Sequence, residues 1–187
     1  KKMPIYMAVD DHEWRDDYPH GIPLDIWKFK TGKYRFFANW AVSIFQFGHI
    51  SAASGFNYQL SKFHFLDIYV FDSRSERRRA DNNLANAGSV LKLIQWIQTP
   101  SEGKLKILVS GSVFLPGLFP DADVSKPGYL DNSQLSPSTR LQVLDAIAAS
   151  GEDGNRFLLL SGDYHLSGFF ELQCNKKTIG ACTVVPP

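Results

Sequence analysis

Short apolar runs alternate along this chain with longer stretches whose apolar residues recur at helical spacing. Residues 4–9, 65–71, 105–109 and 156–160 are compact runs of aliphatic, β-branched and aromatic residues, the pattern of buried strands. Residues 34–47 place Phe36, Phe37, Trp40, Ile44 and Phe45 at helical spacing, with Gly48 as a stop. Residues 82–98 predict an amphipathic helix in which Leu84, Leu91, Ile94 and Ile97 share one broad face, with Pro100 just beyond its end. Ser136 followed by Pro137 reads as an N-cap and a first helical residue. That helix is expected to run to about residue 149, with Gly151 positioned to end it. Residues 115–135 are rich in Pro, Gly, Asp and Ser and predict a long loop of the kind that often carries function. Residues 168–173 and 178–185 predict a closing hairpin. Strands alternating with helices imply an α/β fold, and the closing hairpin implies a mixed sheet.

Composition adds little beyond this. The 187 residues suit a single domain spanning 1–187, and no internal repeat or low-complexity linker divides them. Twenty Lys and Arg against 19 Asp and Glu give a net charge of +1, so no global attraction to nucleic acid or anionic membrane is expected. No apolar run is long enough to span a bilayer, and no signal peptide is visible. Two cysteines, Cys174 and Cys182, flank the turn-like Asn175-Lys176-Lys177. They can bridge the hairpin or stand as free thiols.

The chemistry gathers where the strands end. Residues 4–9 lead into Asp10-Asp11-His12-Glu13, and 65–71 into Asp72-Ser73-Arg74. Residues 105–109 lead into Ser110-Gly111-Ser112, and 156–160 into Ser161-Gly162-Asp163-Tyr164-His165. In open α/β sheets the carboxyl ends of the strands are where sites form. Asp163 and His165 are two residues apart, so an extended backbone projects them to one side. A carboxylate oxygen and an imidazole nitrogen aimed at one point suit a first-row metal ion. Asp10, Asp11 and Glu13 crowd negative charge that a bound cation would relieve; Asp16 and Asp17 extend the cluster. The plainer explanation of that run is a solvated acidic loop, and of Asp163-Tyr164-His165 a polar turn. His49 and His64 read as a helix-end and a packed or surface histidine. Trp27, Trp40 and Trp96 read as core.

These residues, taken in order, resemble a known family. Asp10-Asp11-His12-Glu13 looks like the Asp-Asp-His-Glu motif of PhoD-like alkaline phosphatases. Asp72-Ser73-Arg74 resembles that family's strand ending in Asp-x-Arg, and residues 158–165 its apolar strand ending in Gly-Asp-x-His. Gln95-Trp96-Ile97 is more loosely similar to its Gln-x-x-Trp-Leu helix. The wider class is the calcineurin-like metallophosphoesterases, with a four-layer α/β/β/α sandwich and a two-metal site. The resemblance therefore implies such a sandwich and a metal-dependent phosphoric ester hydrolase. It implies metal ligation by Asp163 and His165, and by Asp11 where the wider class has an Asn. Asp10 joins them as a candidate ligand. His12 would protonate the leaving oxygen, and Arg74 would pair with a phosphate oxygen. Family precedent suggests iron with calcium; manganese or zinc also suits these donors. Many relatives are exported, which implies an extracellular or periplasmic setting, although a cytoplasmic one stays open.

Three departures accompany the likeness. Val9 stands where the family usually has Trp, and Asp16 and Asp17 stand where many relatives are Asn-rich. The family's first metal motif lies well upstream of Asp-Asp-His-Glu. The expectation is therefore the C-terminal part of a catalytic domain, with a missing N-terminal half or another chain completing the site. Competing readings are a phosphodiesterase or nuclease stacking bases on the aromatic stretch 29–47, and a non-catalytic domain acting as a binding module. A sugar- or lipid-binding surface has only composition behind it.

Overall fold

The computed structural model describes residues 57–60, 63–75, 85–114, 137–162 and 167–184. The expected strand 4–9, helix 34–47 and loop 115–135 lie outside them, as do the cap at Ser136, Leu84, Trp27, Trp40 and His49. Among the described residues six strands form one mixed sheet: β1 (Tyr58–Leu60), β2 (Leu66–Phe71), β3 (Leu105–Ser110), β4 (Arg156–Ser161), β5 (Gly168–Cys174) and β6 (Lys177–Val184). Helix α1 (Ala87–Gln98) connects β2 to β3, and α2 (Pro137–Glu152) connects β3 to β4. The strand order is β1-β2-β3-β4-β6-β5, in which β2, β3, β4 and β6 run parallel. Strands β1 and β5 are antiparallel to their neighbours.

Two successive crossovers step across the sheet in the same direction. Right-handed connections then put both helices on the same face. The contacts agree: Tyr69, Phe71, Leu108, Phe157, Leu159 and Cys182 of the sheet share one buried cluster with Leu93 and Ile97 of α1 and Val143 and Ile147 of α2. Each such fully buried side chain contributes about 1.5–3 kcal/mol. The opposite face carries Ile68, Ile107, Val109, Leu158 and Leu160, half-buried. That explains why β3 and β4 read as nearly unbroken apolar runs rather than as alternation.

Helix α1 begins with Asn86 as its N-cap, whose side-chain oxygen accepts the Ser89 N–H at 2.8 Å. Its buried stripe is Val90, Leu93, Trp96 and Ile97. The face expected from the sequence was offset: Leu91 is 56% exposed. Helix α2 also departs from expectation. It passes through Gly151 and ends at Glu152, and the chain turns at Gly154 with φ 97°. Gly151 is where the helix meets the sheet, since a Cβ there would lie 2.7 Å from the Ile179 side chain.

The closing hairpin forms as expected. Its two turn residues, Asn175 and Lys176, both have positive φ (50° and 64°), as the favoured two-residue hairpin turns require. The possible disulfide does not form: Cys174 faces Lys177 across the hairpin, Cys182 faces Phe170, and both thiols are free. Burial pushes the Cys182 thiol up to about 11. Gly180 lets β6 approach β4, because a Cβ there would sit 2.1 Å from the Phe157 carbonyl oxygen. Gly180→Ala should therefore lower Tm by about 5–10 °C in differential scanning calorimetry. An unchanged Tm would mean that the strands part without cost. No helix among the described residues is long and apolar enough to cross a membrane.

Candidate functional site

Register brings three of the four predicted strand ends together. Phe71 pairs with Ser110 and Ser110 with Ser161 across β2, β3 and β4, and Val184 of β6 continues the row. Asp72-Ser73-Arg74, Gly111-Ser112 and Gly162 thus leave the sheet side by side at its carboxyl edge. The fourth strand end, at Asp10, lies outside the described residues.

This edge is dense with buried polar groups. Asp72, Ser73, Arg74, Ser75, Ser110, Ser112 and Ser161 are all nearly or wholly enclosed. Polar groups enclosed in this way must meet partners of their own, and here the loops supply many of them. Asp72 Oδ1 accepts the backbone N–H groups of Arg74 at 3.0 Å and Ser75 at 2.8 Å. The Ser75 hydroxyl donates to Asp72 Oδ2. The Asp72 N–H donates to Asn57 Oδ1 at 2.9 Å, which ties β1 to the loop. Across the edge, the Ser112 N–H donates to Ser110 Oγ at 3.2 Å, and Ser161 Oγ donates to the Ser112 carbonyl at 3.4 Å.

Arg74 has no exposed surface. A guanidinium so placed brings a permanent positive charge to the carboxyl edge, where low dielectric strengthens its pull on an anion. The other predicted site residues, Asp10, Asp11, His12, Asp163 and His165, lie outside the described residues. Asp163 is the residue that follows Gly162. The expected convergence of the acidic stretch with Asp163 and His165 on one cation therefore lies outside them too.

The amino edge of the sheet is built differently. Lys106, fully buried on β3, donates to the carbonyls of Trp96, Ile97 and Thr99 at the end of α1. Asn155 receives the Ser101 N–H at 2.8 Å and donates to Ser150 Oγ at 2.6 Å, and Ser150 Oγ donates to the Ile97 carbonyl at 2.7 Å. These bonds close helix and strand ends. An open groove of about 450 Å³ lies between β1 and α1, with Tyr69 and Trp96 in its floor. Their rings are only 6% and 5% exposed, so neither offers a stacking face. His64 is exposed, and Trp96 is core, its indole N–H donating to Asp67 Oδ2 at 2.9 Å.

Asn57 and Ser75 were not singled out in the sequence. Asn57 carries no local signal, because its partner Asp72 lies fifteen residues away. Ser75 was legible in principle: an Asp followed three residues later by Ser is a pattern for local side-chain-to-backbone bonding. No protein-family model matches the chain, and neither a curated protein nor a solved structure matches it.

Proposed function

We propose that this chain carries part of the active site of a metal-dependent phosphoric ester hydrolase, of the kind its motifs resemble. One observation carries the reading. The strand ends bearing Asp72-Ser73-Arg74, Ser110-Gly111-Ser112 and Ser161-Gly162 lie side by side at the carboxyl edge of a largely parallel sheet. The chain continues from the last of them directly into Asp163-Tyr164-His165. The six-stranded sheet with helices on one face is compatible with half of an α/β/β/α sandwich, which is the finer fold we propose.

The donors fit a metal pair. Asp10, Asp11 and Asp163 offer hard oxygens and His165 an imidazole nitrogen, a set suited to iron, manganese, zinc or calcium. Bound there, two such ions would neutralise phosphoryl charge and acidify a water molecule. The chain's own residues would do the rest. His12 would hand a proton to the departing ester oxygen, which requires hydrogen-bond reach of that atom. Arg74 would stabilise negative charge from within the edge rather than through an open contact. The substrates are small phosphate esters.

Chelation tests the reading. Treating the full-length protein with EDTA and phenanthroline should reduce hydrolysis of p-nitrophenyl phosphate to below about 1% of its starting rate, with recovery on adding iron and calcium. Turnover indifferent to chelation would end the metal assignment. Comparing p-nitrophenyl phosphate with its bis ester separates monoesterase from diesterase action. The complete burial of Arg74 favours one competing reading, a binding module whose carboxyl edge is sealed. Metal-free protein without turnover on either ester would select it.

A further inference from the structure

The loop that carries Arg74 is held by an unbroken series of hydrogen bonds starting at the N-terminus of α1. Asn86 caps the helix and accepts the Ser89 N–H at 2.8 Å. Ser89 Oγ in turn accepts from Asn57 Nδ2 at 3.3 Å. Asn57 Oδ1 accepts the Asp72 N–H at 2.9 Å. Asp72 then gathers the N–H groups of Arg74 and Ser75 on one carboxyl oxygen and the Ser75 hydroxyl on the other. The bonds that Asp72 accepts from Arg74 and Ser75 are buried, so water does not compete for them, whereas those through Asn57 and Asn86 are part-buried.

We infer that Asn57 and Asp72 are positioning residues, which fix the backbone of the Arg74 loop and so the place of its guanidinium at the carboxyl edge. This deepens the hydrolase reading and rests on it for the catalytic consequence, though not for the structural one. Asp72 is suited to the task because one of its oxygens takes two successive backbone donors, which leaves the loop few alternatives. An asparagine at this position keeps that oxygen. An alanine removes it and strands two buried N–H groups. Asn57 works from the other side, spanning the gap between the edge strand and the helix cap.

The test uses Asp72→Ala, Asp72→Asn, Asn57→Ala and Arg74→Ala in the full-length protein, with p-nitrophenyl phosphate as substrate. Asp72→Ala and Asn57→Ala should each lower kcat by about 30-fold while KM stays within about threefold, and Asp72→Asn should retain kcat within about threefold. In an Arg74→Ala background, Asp72→Ala should cost almost nothing further, because its effect runs through Arg74. An equal cost in both backgrounds would overturn the inference. A second measurement is independent of turnover. The Arg74 Nε–Hε resonance in a proton–nitrogen correlation spectrum should be lost or moved by Asp72→Ala and kept by Asp72→Asn. A resonance unmoved in both variants overturns the positioning role. An inactive wild type whose resonance follows this pattern overturns the hydrolase reading and supports the positioning.

Discussion

Asp163→Asn should cut hydrolysis of p-nitrophenyl phosphate by about three orders of magnitude, the scale of losing an anionic ligand from a site that depends on metal charge. Asparagine keeps the shape of the side chain and one oxygen but surrenders the negative charge, so metal affinity and charge balance fail together. The position argues for a large effect. Asp163 follows Gly162, which ends the strand lying between β3 and β6 in the sheet. The end of β4 itself has the ends of β3 and β6 on either side, the setting in which sites form in such sheets. The metal-free fold should be indifferent, with Tm after EDTA treatment within about 2 °C of wild type treated alike, since the change adds no volume. Metal content by mass spectrometry should fall alongside kcat. Full turnover in the variant would remove Asp163 from the site.

Lys106→Met should destabilise the fold by about 4 kcal/mol, lowering Tm by about 10–15 °C. The methionine fills the same space but gives the carbonyls of Trp96, Ile97 and Thr99 no donor. Of these, the Ile97 carbonyl keeps Ser150 as a donor and the Thr99 carbonyl keeps Asn155. Loss of the ammonium also removes its contacts over the rings of Trp96 at 5.1 Å and Phe157 at 6.0 Å. The same lysine sets a pH dependence. Burial lowers its pKa from an ordinary 10.5 to about 8, only partly opposed by Asp67. Between those values the unfolded chain holds a proton that the folded chain has released. The folded state then binds fewer protons, so raising pH favours it. Wild-type stability relative to Lys106→Met should thus be flat below pH 8 and rise by at most about 1.4 kcal/mol per unit from there to pH 10.5. Urea unfolding of both proteins at neutral and alkaline pH measures it. A gap that narrows over that interval would contradict the assignment.

Strands β2, β3 and β4 were readable because each is a mostly apolar run ended by small or acidic residues. The hairpin was readable because Asn175-Lys176-Lys177 interrupts two β-rich segments. The precise face of α1 was not, because Leu91 is as apolar as Leu93. Only the placement of the crossover above the sheet decides which of them is enclosed. Gly151 misled for a related reason. A glycine near a helix end suggests termination, whereas here contact with Ile179 demands it inside the last turn. That the polar endings of β2, β3 and β4 share one edge of the sheet was suggested by the strand endings alone. The bonds from Asn57 and Ser89 that steady it join residues 15 and 32 apart, and no local pattern encodes such pairings.

Strand β6 enters the sheet between β4 and β5, although β5 precedes it in the chain. During synthesis β4 therefore emerges with one flank open, and β5 has nothing to pair with until β6 follows. Among the described strands, β6 joins both neighbours at once, a step that waits until β4, β5 and β6 have all been synthesised. A nascent chain halted before β6 would present an apolar strand border to its surroundings, the kind of surface that chaperones shield and aggregates recruit.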